Sequence, residues 1–125
     1  MTLEQARELL RDELLAAAAA VVPGQPGFVT HDVGPINPGV LFDGSGPATV
    51  CSVTVETGDP ARTDAGAEQV AAAGRALLDR GWRVEPPELE SGHHRVAAFR
   101  DGFDIAIHAW DGHWKVTLIG ETPEL

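Results

Sequence analysis

Cysteine is almost missing from this 125-residue chain: Cys51 is the only one, so no intramolecular disulfide and no cysteine-based metal cluster can form. Basic residues are scarce as well, nine Lys and Arg against nineteen Asp and Glu, for a formal charge of −10. That balance argues against sequence-independent binding to DNA or RNA, where cations must neutralise phosphates, and against an anionic membrane surface. Lysine itself occurs once, at Lys115, against eight arginines, a usage that accompanies acidity in proteins of GC-rich genomes. Long apolar runs are missing too. The longest, Leu14 to Val22, is nine residues, well short of the ~20 that span a bilayer, so membrane insertion is not expected. The basic start of a secretory signal is absent, since the chain opens with Glu4, Glu8, Asp12 and Glu13. A cytoplasmic location is therefore expected, the alternative being an exported mature domain with its leader removed. Finally, there is no Gly-rich phosphate loop behind a strand, no G-x-S-x-G and no His-Glu-x-x-His. No catalytic residue is assigned on this basis, and no cofactor or metal is expected.

What is present suffices for a core: 43% of residues are hydrophobic and 22% charged, ordinary values for one globular domain over 1–125. Thr2 and Gln5 have the spacing of a capping box, and Leu3, Ala6, Leu10, Leu14, Ala17 and Val21 recur at three and four residues. This predicts a helix over 3–22, stopped by Pro23-Gly24. The stretch 23–47 holds five prolines and six glycines without a Lys or Arg, which predicts a long irregular connection with an extended piece at Phe28 to Thr30. Thr49, Cys51, Val53 and Val55 then alternate as a strand with one apolar face. Asp59-Pro60 reads as the cap and first residue of a second helix, carried by Ala67, Val70, Ala71, Gly74, Leu77 and Leu78 and ended by Gly81. Trp82 and Val84 begin a strand that Pro86-Pro87 ends.

Asp101-Gly102 and Asp111-Gly112, ten residues apart between alternating segments, are signals for tight hairpins. They predict a three-stranded meander over 93–100, 103–110 and 113–119. The expected fold class is α+β, in the order α-β-α-β-β-β, a mainly antiparallel sheet with two helices packed on one face. Two-residue turns fix register, pairing Val96 with Ile107 and Ile107 with Val116 on the core face. On the other face His93, Trp110 and His113 form one row and Arg95, His108 and Lys115 the next. A Trp beside Arg and two histidines, in an otherwise acidic protein, suits an anionic ligand group or an acidic partner segment.

Other constellations are weaker. His93 and His113 sit two strands apart, roughly 10 Å, too far to share a metal. Adjacent strand residues point to opposite sides, so His93 and His94 cannot serve one face. Cys51 lies mid-strand on the apolar side with no cation to stabilise a thiolate, and reads as buried and inert. His31-Asp32, in the Pro/Gly-rich stretch, offers a base beside a carboxylate; with Trp82 it defines an alternative pocket under the 23–47 loop, suited to a small-molecule binder or enzyme.

Gly81-Trp82-Arg83-Val84, Arg100-Asp101-Gly102-Phe103 and the final Gly120-Glu121-Thr122-Pro123 resemble small actinobacterial proteins of unassigned function, many of them lipoproteins or secreted domains. The resemblance implies a helix, a Cys-bearing strand, a second helix ending in Gly-Trp, a hairpin and a terminal Thr-Pro-Cys. Cys51 matches the first cysteine of that pattern, whereas Glu124 stands where the second would fall, so the implied bridge is absent and a reducing compartment suits the chain. Size, acidity and the lack of a catalytic set lead to an expected non-catalytic binding module, an accessory or immunity-type protein with a protein partner. Its oligomeric state is left open by the sequence.

Overall fold

Thr2 and Gln5 start the first helix as their spacing predicts: the Gln5 backbone N–H donates to Thr2 Oγ1 at 3.1 Å and the Thr2 N–H to Gln5 Oε1 at 2.9 Å. The computed structural model describes residues 1–36 and 50–125. Helix α1 runs Leu3–Val21 and buries Ala6, Leu10, Leu14, Ala17, Ala18 and Val21. Pro23 cannot continue it, having no N–H for the ladder.

The connection that follows departs from expectation. Phe28–Ile36 is a nine-residue strand, β1, rather than a short extended piece in an irregular loop. Its place at the sheet edge explains why Gly34 and Pro35 are tolerated. Pro35 removes a donor that an edge strand can spare, and the register slips between Val29 and His31 and again between Val33 and Ile36, as at bulges. The remainder of the Pro/Gly-rich stretch, from residue 37 to 47, lies outside the described residues.

Strand β2, Val50–Gly58, turns its odd-numbered residues to the core, and Cys51, Val53 and Val55 are buried there. The second helix, α2, spans Gly66–Asp79 and so begins six residues after Pro60. Asp59 does accept from a backbone N–H two residues on, Ala61 at 2.9 Å, but this closes one turn that does not propagate. Gly66 allows the helix to start against β5: a Cβ there would lie 2.7 Å from the His94 ring. At the other end Gly81 N–H donates to Leu78 O and Trp82 N–H to Leu77 O, the paired bonds of a glycine-terminated helix.

Five strands complete the chain: β3 (Arg83–Val84), β4 (Glu88–Glu90), β5 (His93–Arg100), β6 (Phe103–Trp110) and β7 (Lys115–Glu121). All pairings are antiparallel, in the order β1-β2-β7-β6-β5-β3, with β4 also on β5 beyond the Pro86-Pro87 interruption. The last strand thus lies in the middle of the sheet. Asp101 and Gly102 both adopt positive φ, as a two-residue hairpin turn requires, and Ser91-Gly92 forms the same turn between β4 and β5. Both helices pack on one face in a single hydrophobic cluster with Val53, Val55, Val96, Ile105, Ile107, Val116 and Leu118. The fold class is α+β, an antiparallel sheet with two helices on one side.

Register in the last hairpin is shifted by two residues. Ile107 pairs with Leu118 and Ala109 with Val116, because Asp111-Gly112-His113-Trp114 all belong to the loop. A shift of two keeps every side chain on its expected face but moves it one row along. That displacement reshapes the site.

Candidate docking surface

With both helices on one side, the other side of the sheet is uncovered by any described element. Pairing lays it out in four rows. The first holds His93 and Trp110, with Lys115 at the start of β7. The second holds Arg95, His108, Thr117, Glu56 and Phe28; the third Ala97, Ala106, Ile119, Thr54 and His31; the fourth Phe99, Asp104, Glu121 and Ser52. Trp110 (40%), Ile119 (38%), Phe99 (36%) and Phe28 (66%) keep large fractions of their surface in solvent. These four side chains stand in four different rows of the face, interspersed with its charged groups.

The first two rows hold an aromatic group. His93 Nε2 and His108 Nδ1 are 2.7 Å apart, and the rings lie 5.0 Å apart at 15°, so they meet edge to edge and share one in-plane hydrogen. The Trp110 indole stacks on His93 at 4.7 Å and 6°. One histidine of the pair must accept, so protonating both would set donor against donor. Burial on the face, the His93 charge and the neighbouring Arg95 together hold His108 below the usual histidine value of 6.5. Arg95 reaches Glu88 at 3.8 Å and Lys115 reaches Glu56 at 3.6 Å while lying over Trp114 at 5.8 Å. These exposed pairs orient the cations more than they stabilise the fold.

Of the residues expected at this site, Arg95, His108 and Trp110 stand as register placed them. Lys115 shares the row of His93 and Trp110 rather than that of Arg95. His113 is displaced from the face: it lies in the β6–β7 loop, its backbone N–H donating to Trp110 O at 3.1 Å. The difference arises because the turn is four residues long, Asp111 to Trp114, rather than two.

The alternative pocket residues are not brought together. His31 pairs with Thr54, its side chain on the uncovered face, whereas Asp32 points to the helix side and meets Arg7 Nε at 3.3 Å and Arg11 Nη1 at 3.6 Å. Trp82 lies near the opposite edge of the sheet and is 2% exposed, edge-on to Phe103 at 6.4 Å. No base–carboxylate pair forms from His31-Asp32, since neighbours on a strand diverge.

The same rule separates His93 from His94. His94 points under α2, where its Nε2 meets Asp111 Oδ1 at 2.7 Å. Among the described residues no three His, Cys, Asp or Glu side chains are gathered as a metal would need. No described helix is long and apolar enough to cross a membrane.

Sequence reasoning missed one cluster altogether. Glu13, 3% exposed on α1, accepts from Trp82 Nε1 at 3.0 Å, from Arg100 Nη1 at 2.8 Å and from Arg80. The Arg100 guanidinium also lies 5.0 Å over the Trp82 ring and donates to Arg80 O at 2.7 Å. Burial by itself would raise the Glu13 carboxyl, but the bonds from Arg80 and Trp82 and the two arginine charges outweigh it and hold it below 4.5. The signal was available: Glu13 falls between Leu10 and Leu14 on the apolar stripe of α1, where an acid must find partners. The cluster pins α1 to the end of α2 and to β5, which is a structural role.

No family model, no curated protein and no solved structure matches this chain.

Proposed function

We propose that the protein is a non-catalytic binding module, of the accessory or immunity type, that works through protein contacts made by the uncovered face of its sheet. The observation that carries this reading is the one-sided architecture: both helices cover one face, while Trp110, Ile119, Phe99 and Phe28 stand in solvent among charged groups on the other. Aromatic side chains next to arginine are the composition enriched where binding energy concentrates. The acidity of the chain, −10 overall, disfavours nucleic acid as the partner. A cytoplasmic setting suits a lone buried cysteine.

The test is affinity capture from the native cells with the wild-type chain and with Trp110→Ala and Ile119→Asp variants matched in melting temperature. A protein retained by the wild type and lost by both variants is the expected result. Retention by all three, or by none, defeats the reading.

A further inference from the structure

We infer that the occupant of the uncovered face is a second copy of this chain, stacked face to face with its strands antiparallel. The inference rests on the docking reading above and names the partner. Two sheets that pack on a two-fold axis have only two simple choices, with the axis along the strands or across them, and the four rows respond differently to each. An axis across the strands lays each strand over its own copy and reverses the rows. First then meets fourth, and second meets third.

That reversal matches both charge and size. Lys115, in the first row of β7, comes over Glu121 in the fourth row of the other copy's β7, and the two-fold axis makes the pair twice. In a single copy Glu121 and Asp104 occupy directly opposite positions across the β6–β7 pair. Like charges so placed cost stability, and a cation arriving from outside relieves them. In the middle, His108 of the second row comes over Ala106 of the third, a large side chain above a small one, whereas Ala97, 6% exposed, is already covered by its neighbours in one copy. Interdigitation of that kind fills the ~10 Å between packed sheets. The rival axis, along the strands, keeps rows level and reverses the strand order, which sets Glu121 of one copy against Asp104 of the other.

Two further quantities agree. On strands β2 to β7 the face carries five carboxylates (Glu56, Glu88, Glu90, Asp104, Glu121) against three cations (Arg83, Arg95, Lys115), so two of the ten excess negative charges lie on it. The remaining charge is turned away from the contact, where salt screens it beyond about 8 Å. Five strands of about eight residues span roughly 600 Å² in projection. Accessible area exceeds projected area, which brings the face near the ~800 Å² per partner of a standard interface.

Sedimentation equilibrium of the full chain over a concentration series tests the inference. A dimer is expected. Ala106→Arg, which fills the slot opposite His108, and Lys115→Glu, which turns both ion pairs repulsive, should each weaken it at least tenfold with the circular-dichroism spectrum unchanged, and Lys115→Glu combined with Glu121→Lys should restore it. A monomer at every concentration overturns the dimer and leaves the docking reading to its own capture experiment. A dimer indifferent to all three variants also overturns it, by placing the contact on another surface.

Discussion

The two faces of the sheet are built from the same strands and follow opposite rules. On the helix side β2, β5, β6 and β7 contribute Val, Ile, Leu and Ala, and the charged group that intrudes, Glu13, is met by two arginines and an indole N–H. On the uncovered side, histidine, tryptophan, arginine and carboxylates share the strands with alanines, and their ion pairs are long and wet. Stability is concentrated on the first face, where a lost contact leaves a cavity or an unpaired charge. The second face is free to vary without unfolding the chain, which is what a binding surface requires.

That contrast is broken most severely at Glu13. Glu13→Ala leaves Arg80, Arg100 and Trp82 Nε1 without their acceptor, and should cost about 3 kcal/mol in urea unfolding, near the lower end for a broken buried pair because Arg80 retains access to water. A loss under about 1 kcal/mol would show that the cluster does not hold α1 in place. Cys51 gives the next effect. Its backbone N–H and C=O are both bonded to Thr122, and burial raises its thiol, so Cys51→Ser should cost roughly 1–3 kcal/mol by placing a hydroxyl among apolar neighbours. Native protein should resist thiol reagents; rapid labelling before unfolding would contradict the burial.

Acidity separates the faces by pH. His108 is held below 6.5 in the folded chain, so the unfolded chain binds its proton first and stability declines as pH falls from 6.5 toward the lowered folded value. Glu13 is held below 4.5, and its contribution, complete above 4.5, is lost as pH falls through the depressed value. Melting temperatures from pH 7 to 3 should therefore fall in two stages. His108→Phe should remove the upper stage alone; a variant that keeps both would place the first titration elsewhere. The smallest effect belongs to Trp110→Ala, which should change folding stability by less than about 1 kcal/mol, as expected of a half-exposed side chain. A loss comparable with that of Glu13→Ala would mean that the uncovered face is part of the core.

Legibility in the sequence follows a physical divide. The capping box of α1, the β5–β6 hairpin with its whole register, and the inward Cys51 were readable because each depends on neighbours in the chain. Strand β1 was not readable: Pro and Gly argue against an interior strand, and only an edge position with bulges accommodates them. The late start of α2 was hidden behind Asp59-Pro60, a cap signal spent on a single turn. His113 was misplaced for a similar reason, since Asp111-Gly112 opens a four-residue loop.

Alternation, caps and turn residues act over a few bonds, so the sequence by itself determined the α+β class, the single-sided helices and the pairing of His93, Arg95, His108 and Trp110. Contacts between distant segments obey no such local code. The insertion of β7 between β2 and β6, the closure of Glu13 with Arg80 and Arg100, and the row that Lys115 joins were decided by tertiary structure, because each depends on which strands and helices find one another when the core is buried.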